Sequence, residues 1–148
     1  MTDNYFMREA LIEAQKAFDK GEIPIGAVLV REGKIIARDH NRREELNDPT
    51  AHAEVLVIRD AGKTLGGWRL PDSTLYVTIE PCPMCAGALV QARVPRLVYG
   101  AQDIKAGAVH SLYNVTEDER LNHRLEVIGG ILAEEAADLM RQFFRSRR

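Results

Sequence analysis

The spacing of hydrophobic residues divides the first part of the chain into one helix and two strands. Between about residues 5 and 20, apolar side chains recur at intervals of three and four, which predicts an amphipathic helix, and Gly21 is placed to end it. Two apolar runs, residues 25–30 and 34–38, flank Glu32-Gly33, a dipeptide typical of tight turns. The pattern therefore predicts a helix followed by a β-hairpin.

The middle of the chain alternates between helical and extended patterns. A polar loop over residues 40–50 leads into a helix over residues 51–62. Residues 74–79 are rich in β-branched and aromatic side chains and predict a buried strand, which is followed by a helix over about 82–93 and a strand over 96–100. Strand, helix and strand within about 27 residues predict a βαβ unit with parallel strands. Both helices are then expected to begin at the same edge of the sheet.

The C-terminal part combines a long irregular connection with a final strand and helix. Periodicity fades over about residues 101–122, and so long a connection in a compact domain often signals function. Residues 124–128 predict a last strand. The final helix is predicted from a buried stripe formed by Ile131, Ala136, Leu139, Met140 and Phe143. With 148 residues, the chain fits one α/β domain spanning residues 1–148.

The composition is that of an ordinary globular protein, with 45% hydrophobic and 28% charged residues. A net charge of −2 argues against nonspecific coating of nucleic acid, which needs many phosphate contacts. The sequence shows no secretory signal and no apolar run near the roughly 18 residues of a membrane span, and its two cysteines offer no disulfide framework, so a cytoplasmic location is expected. Positive charge gathers at the C-terminal end, where it either complements a helix dipole or contacts RNA. The residues concerned are Arg141, Arg145, Arg147 and Arg148.

The two cysteines have the spacing of metal ligands. Cys82 and Cys85 stand three residues apart, so their sulfurs would project from one face of a first helical turn. Pro81 and Pro83 flank the first cysteine, and proline is well placed where a helix begins. Free N–H groups and the dipole at a helix N-terminus lower a thiol pKa, which makes thiolates available to a metal.

His52 is the best placed of the four histidines to complete this site. It follows the loop residues 48–50 and precedes an apolar run, so it is predicted in the first turn of a helix. One histidine and two cysteines make three protein ligands, the number expected of a catalytic zinc that holds water in the fourth position. Glu54 stands two residues further on and points to another side, which predicts a proton shuttle beside the activated water.

The sequence H-A-E at residues 52–54, followed by P-C-x-x-C at 81–85, resembles the zinc-dependent nucleoside and nucleobase deaminases. Further segments, spread over almost the whole chain, resemble the bacterial tRNA-specific adenosine deaminases. They are E-I-P-I-G-A-V at residues 22–28, H-N at 40–41, P-T-A-H-A-E at 49–54, T-L-Y-V-T at 74–78, C-A-G-A at 85–88, N-H-R at 122–124 and F-F-R at 143–145.

This resemblance implies a fold, a reaction and partners. The implied fold is a cytidine deaminase-like three-layer α/β/α domain with a central mixed sheet of about five strands. The implied reaction is hydrolytic deamination of adenosine to inosine at the first anticodon position of tRNA. One Zn²⁺ per subunit would be held by His52, Cys82 and Cys85, with Glu54 as the catalytic residue. The implied partners are a tRNA anticodon stem-loop and a second copy of the chain in a homodimer.

The resemblance also implies a set of substrate contacts. They are Asn41, Asp103, Lys105, Phe144 and Arg145. The backbone N–H near Ala53 is a further candidate contact, which would orient the tetrahedral centre formed in the reaction. His110 departs from the family pattern, which usually has a small residue, often glycine, before the serine matched by Ser111. A solvated loop histidine is the favoured interpretation of His110, ahead of a functional role.

Three alternatives stay open at this point. Guanine, cytosine and riboflavin-pathway deaminases share the two motifs, so the motifs give the reaction class but not the base. Strand, C-P-M-C and helix also fit a thiol redox motif of the thioredoxin kind, although that interpretation leaves His52 and Glu54 without a role. A structural zinc would need a fourth ligand, from His40, His110 or His123.

Overall fold

A five-stranded sheet forms the centre of the molecule in a computed structural model that describes residues 1–147. Arg148, one of the arginines of the C-terminal cluster, lies outside the described residues. The strands are β1 (Gly26–Arg31), β2 (Lys34–His40), β3 (Ser73–Ile79), β4 (Arg96–Ala101) and β5 (Glu126–Ile128). The helices are α1 (Asp3–Asp19), α2 (Arg43–Leu46), α3 (Ala53–Leu65), α4 (Pro83–Gln91) and α5 (Ala133–Ser146).

The sheet is mixed, and its topology brings two helix starts to one edge. The strand order is β2-β1-β3-β4-β5, in which β1 is antiparallel to both of its neighbours and the β3–β4 and β4–β5 pairs are parallel. The predicted βαβ unit is confirmed as β3, α4 and β4. Because β2 and β3 both run opposite to β1, their C-terminal ends lie at the same edge. The helices that follow them, α3 and α4, begin there.

Helices cover both faces of the sheet. Alternate residues of β1 face opposite ways: Leu29 packs with α3 and α4, whereas Val28 packs with α1. The last helix, α5, lies beside α1, where the rings of Phe18 and Phe143 are 6.0 Å apart between centroids. This arrangement confirms the predicted three-layer α/β/α fold with a mixed five-stranded sheet.

Local signals account for the first helix and the hairpin. The Thr2 side chain caps α1 by accepting a hydrogen bond from the Tyr5 N–H at 3.2 Å, and Gly21, with φ of +79°, ends the helix as predicted. The β1–β2 turn places Glu32 at φ 53° and Gly33 at φ 76°. Two successive residues in the left-handed region form a two-residue turn whose twist matches that of the flanking strands.

Residues 40–50 do not form one loop, and the prediction there is wrong. The strand β2 continues to His40, and the short helix α2 follows. The Glu22 carboxylate accepts hydrogen bonds from the backbone N–H groups of Glu44 at 3.1 Å and Glu45 at 2.7 Å. Because these free N–H groups are satisfied by a residue that is distant in sequence, no local pattern indicates the helix.

The predicted bounds of three helices also need correction. Helix α3 continues past Gly62 and ends at Leu65, and Gly66, with a φ of +74°, forms its left-handed cap. Helix α4 begins at Pro83 rather than at the preceding cysteine. Helix α5 begins after Leu132, so Ile131 precedes the helix, although it packs with the α1 side of the core.

The long connection between β4 and β5 is confirmed as irregular. Residues 102–125 contain no helix or strand in the described structure, as the fading periodicity predicts. Among the helices of residues 1–147, none has the length and apolar character needed to cross a membrane.

Candidate active site

His52 and Cys82 occupy equivalent positions at two neighbouring helix starts. Each is the N-cap residue of its helix, with φ −76° and ψ 150° for His52 and φ −74° and ψ 174° for Cys82. The prediction that both lie in a first helical turn is therefore corrected by one residue, because the backbone is still extended at both N-cap positions. Neither side chain caps its own helix, so both are free to face each other.

Three ligand atoms converge at this edge of the sheet. His52 Nδ1 lies 3.6 Å from Cys82 Sγ and 3.5 Å from Cys85 Sγ. A tetrahedral zinc, with Zn–S bonds of about 2.3 Å and a Zn–N bond of about 2.0 Å, separates a nitrogen from a sulfur ligand by about 3.5 Å. The donor set and its spacing fit one zinc ion. Among the described residues, the cluster holds no fourth His, Cys, Asp or Glu, which is the arrangement of a catalytic site.

The other three histidines have different partners and do not join the cluster. Their nearest partners are Glu13 for His40, Tyr99 and Glu117 for His110, and the Val94 carbonyl for His123. The alternative of a closed structural zinc site with a fourth histidine ligand is therefore not supported by the geometry of the described chain.

The two thiols are held in different protonation states. Hydrogen bonds from Cys85 and His52 lower the pKa of Cys82 to about 4, against the effect of burial. The same hydrogen bond with Cys82, together with burial, raises the pKa of Cys85. The hydrogen bond with Cys82 also raises the pKa of His52. Cys82 is therefore ready as a thiolate, and binding of a metal would release the proton of Cys85.

Glu54 lies beside the ligand cluster in the first turn of α3 and is only 3% exposed. Burial raises the pKa of its carboxyl to about 7, and the charge of Cys82 adds to this effect, while the Glu54 backbone N–H and His52 oppose it. A carboxyl group with a pKa near 7 can both accept and donate a proton near neutral pH. This environment is what the predicted proton shuttle requires.

A cavity of about 190 Å³ opens above these residues. Its walls are apolar at Ile23, Ile25 and Ile79, and the polar side chains of Asn41 and Asp103 also face it. The volume is below the roughly 300 Å³ of pockets for drug-sized ligands, so the cavity suits one small planar ring system. The remaining residues of the lining are Arg43, His52, Ala53, Glu54, Glu80, Cys82 and Ala106.

Three of the six predicted substrate-contact residues line this cavity. Asn41 is buried, and its Oδ1 accepts a hydrogen bond from the Arg43 N–H at 3.1 Å, so it acts as a turn residue and as part of the cavity wall. Ala53 is fully buried at the start of α3. The Asp103 carboxylate accepts from the backbone N–H groups of Lys105 and Ala106 at 3.0 and 3.1 Å.

The other three predicted contact residues lie outside the cavity. Lys105 is exposed on the connection. Phe144 is 50% exposed and lines a groove of about 390 Å³, whose wall also contains Asn41 and Arg43. Arg145 lines a shallower depression on α5. The structure therefore brings Phe144 to a groove next to the cavity, whereas Lys105 and Arg145 lie further out.

Glu80 is a residue of the site that sequence reasoning assigns no role. It follows β3, lines the cavity and is 3% exposed. Burial alone would raise the pKa of its carboxyl, but hydrogen bonds from the Ser111 hydroxyl and from the backbone N–H groups of His110, Ser111 and Asp103 lower it to about 2. The available signal is a charged residue directly after a strand that carries no other charge, and directly before the cysteine motif.

His110 is exposed on the long connection, as the favoured interpretation of a solvated loop residue predicts. Its side chain also has two partners, since Nδ1 lies 2.6 Å from the Tyr99 hydroxyl and Nε2 lies 3.2 Å from Glu117 Oε1. The backbone N–H of His110 donates to Glu80 at 2.8 Å. The histidine therefore ties the long connection to the end of β4.

Fold and site together define a deaminase of the cytidine deaminase-like fold. The family model described as MafB19-like deaminase matches residues 1–148. A tRNA-specific adenosine deaminase of Bacillus subtilis (strain 168) is 55% identical over 146 residues, which cover 99% of this chain and 91% of that protein. The chain belongs to the MafB19-like deaminase family and, among its relatives, stands with the tRNA-specific adenosine deaminases.

Two solved structures extend the comparison. One comes from a study of A-to-I editing by tRNA deaminases at the wobble position of transfer RNA; it is 51% identical, with a TM-score of 0.88 over 91% of this chain and 98% of that chain. The other is a guanine deaminase from Bacillus subtilis, which is 45% identical, with a TM-score of 0.66 over 69% of this chain and 66% of that chain. The resemblance to adenosine deaminases of tRNA is confirmed at the level of the family.

Proposed function

We propose that the chain deaminates adenosine to inosine by hydrolysis at the first (wobble) anticodon position of tRNA. The observation that carries this proposal is the convergence of His52, Cys82 and Cys85 beside the buried Glu54, at the base of a cavity of about 190 Å³. The choice of tRNA is supported by relatives that are 55% and 51% identical and carry that substrate in their descriptions.

His52, Cys82 and Cys85 would hold one Zn²⁺ in each subunit. When bound there, zinc supplies Lewis-acid chemistry that brings the pKa of water down to about 7. His52 would bind through Nδ1, the ring atom that faces both sulfurs. Cys82 would contribute a thiolate directly, and Cys85 would lose its proton to the solvent on binding.

Glu54 is the catalytic residue that moves protons. Its carboxylate accepts a proton from the attacking water as the water oxygen bonds to C6 of adenine. It then returns protons to a ring nitrogen and to the departing amine, so adenosine and water become inosine and ammonia. A pKa of about 7, set by burial, makes both directions of transfer accessible near neutral pH.

The walls of the cavity receive the target nucleoside. Asn41, Ala53 and Asp103 contact it, a role supported by their place in the lining. Phe144 contacts RNA that flanks the target, because it lines the groove that shares Asn41 with the cavity. Lys105 and Arg145 remain predicted contacts to the RNA further out. Unpaired anticodon bases can be splayed from their loop and read in this way.

A free base such as guanine or cytosine is the competing substrate. The Bacillus subtilis guanine deaminase shares 45% identity with the chain, which gives this alternative a specific basis. Its TM-score of 0.66 over 69% of the chain is lower than the 0.88 over 91% for the structure from the tRNA study. The comparison therefore favours tRNA.

The deciding experiment offers zinc-loaded protein three substrates in parallel and identifies the products by mass spectrometry. The substrates are an arginine tRNA anticodon stem-loop with adenosine at its first anticodon position, free guanine and free cytosine. We expect inosine in the stem-loop and no change in the free bases. Deamination of a free base with an unchanged stem-loop would overturn the substrate assignment, although His52, Glu54 and the cysteines would keep their roles.

The proposal includes a homodimer of one-domain subunits, each spanning residues 1–148, that acts in the cytoplasm. Large apolar side chains of the long connection are exposed, and a second copy would cover such a surface. They are Ile104, Leu112, Tyr113 and Leu121. Two cysteines that serve as metal ligands suit a reducing compartment. Light scattering in solution should give the mass of two chains, and a monomer at micromolar concentration would contradict the dimer.

A further inference from the structure

Glu80 stands between the metal-ligand segment and the long connection, and none of the proposed proton transfers uses it. It lies two residues before Cys82, is 3% exposed and lines the cavity. A buried carboxylate is costly unless hydrogen-bond donors surround it. The identity of the hydrogen-bond donors around Glu80 therefore indicates the structural role of this carboxylate.

Among the described residues, all the hydrogen-bond donors to the Glu80 carboxylate come from one segment, residues 103–111. Oε1 accepts from the backbone N–H of Asp103 at 3.0 Å and from the Ser111 hydroxyl. Oε2 accepts from the backbone N–H groups of Val109, His110 and Ser111 at 3.0, 2.8 and 2.9 Å. Only an ionised carboxylate offers acceptor sites for so many donors at once. One side chain therefore holds both ends of this segment.

Two backbone hydrogen bonds and the close approach of one glycine also hold the long connection against residues 80 and 81. The Glu80 N–H donates to the Ala101 carbonyl at 2.8 Å, and the Ala108 N–H donates to the Pro81 carbonyl at 2.8 Å. A Cβ atom added to Gly107 would collide with the Glu80 carboxyl carbon and the Asp103 carbonyl oxygen. The segment thus approaches Glu80 as closely as its backbone allows.

This attachment determines one wall of the cavity. Asp103 and Ala106 belong to the lining, and the Asp103 carboxylate folds the intervening turn by accepting the Lys105 and Ala106 N–H groups. We infer that Glu80 is a positioning residue that fixes residues 103–111 against the metal-ligand segment and thereby sets the wall that receives the substrate base. The inference rests on the proposed function only in taking this cavity as the substrate site.

Glu13 provides a matched control for Glu80. It is also 3% exposed and accepts hydrogen bonds from Lys16, Arg38 and His40, all of which lie outside the cavity lining. Glu80→Gln and Glu13→Gln each replace a buried carboxylate with an amide that has half the acceptor oxygens and donates instead. A general loss of stability should appear in both variants, whereas a change in the cavity wall should appear only in Glu80→Gln.

The first measurement is hydrogen exchange of backbone amides in the full-length, zinc-loaded proteins. Hydrogen bonds to a charged group protect backbone amides, so their loss should speed exchange of the Asp103, Val109, His110 and Ser111 amides by about tenfold or more in Glu80→Gln. The amides of β3 and β4 should change little. In Glu13→Gln the four amides should exchange at the wild-type rate, and unchanged exchange in Glu80→Gln would overturn the inference.

The second measurement separates KM from kcat, with whichever substrate the wild-type protein deaminates in the product assay. That choice keeps this test intact even if the proposed tRNA substrate fails. A misplaced wall should raise KM by about 10- to 100-fold in Glu80→Gln while kcat falls less, with zinc content at one ion per chain. Glu80→Asp, which keeps the charge, should recover part of the loss. A faster-exchanging segment with an unchanged KM would overturn the positioning role.

Discussion

Two glutamates with the same low exposure have carboxyl pKa values that are shifted in opposite directions at this site. Glu54 and Glu80 are each 3% exposed. Burial dominates at Glu54 and raises its pKa to about 7, whereas the donors around Glu80 outweigh burial and lower its pKa to about 2. The number of hydrogen-bond donors, rather than exposure, therefore decides which carboxyl can exchange a proton near neutral pH. Glu54 can do so and Glu80 stays ionised.

The exchange of Glu54 for Gln tests its role as the proton shuttle. The amide keeps nearly the same shape but cannot accept the proton of the attacking water, so kcat should fall by about 10²- to 10⁴-fold. The ligands His52, Cys82 and Cys85 are untouched, so metal analysis should still find one zinc per chain. Full turnover in Glu54→Gln would contradict the shuttle, and absence of zinc from the wild-type protein would favour the thiol redox alternative.

Elements with local signals could be predicted from the sequence, and elements that depend on distant contacts could not. The turn at Glu32-Gly33 predicted the hairpin, because the residues that make the turn carry its signal. Helix α2 was missed because Glu22, far away in sequence, supplies its N-terminal hydrogen bonds. The candidate ligands Cys82 and Cys85 were predictable because their spacing is itself the signal, and His52 because it precedes a helix that begins at the same edge of the sheet. The five donors to Glu80, in contrast, meet only in the folded chain.

A pair of glycines tests how closely the elements pack. A Cβ atom at Gly26 in β1 would collide with the Ala10 carbonyl oxygen and the Ala14 nitrogen of α1, and backbone atoms cannot rotate away. Gly26→Ala should therefore lower the free energy of unfolding by about 3 kcal/mol. Among the described residues, no atom outside the adjoining residues and backbone of α4 itself lies within 4 Å of a Cβ added to Gly87. Gly87→Ala should therefore raise the free energy of unfolding by about 0.5–1 kcal/mol.

Urea unfolding of both variants measures these changes. Both substitutions add the same methyl group, but strain should dominate at Gly26 and helix propensity at Gly87, so the two changes should have opposite signs. Equal effects from Gly26→Ala and Gly87→Ala would show that the contact between α1 and β1 is looser than the structure has it.

At the scale of the whole molecule, one polar cluster joins the start of the chain to the middle of the sheet. The Asp3 carboxylate accepts a hydrogen bond from the Tyr76 hydroxyl at 2.6 Å and two from the Arg96 guanidinium at 3.0 and 2.8 Å. Asp3 opens α1, whereas Tyr76 and Arg96 belong to β3 and β4. These hydrogen bonds therefore connect α1 to β3 and β4, two strands that are distant from it in sequence.

This cluster predicts a loss of stability at alkaline pH. Burial, and then the hydrogen bond and charge of Asp3, raise the pKa of Tyr76 from its ordinary value of 10.0 to about 12. Because the folded pKa lies above the unfolded one, the contribution is complete below pH 10 and is lost as pH rises through about 12. The loss should be about 1–2 kcal/mol after screening by solvent.

Tyr76→Phe isolates this contribution from other groups that titrate at high pH. The variant lacks the hydroxyl, so its free energy of unfolding should be lower than that of the wild type at pH 9, and the gap should close by pH 12. Lysine and other groups that lose protons in this range do so in both proteins and cancel in the comparison. Urea unfolding at both pH values measures the gap, and a constant gap would show that the Tyr76 hydroxyl does not couple α1 to the sheet.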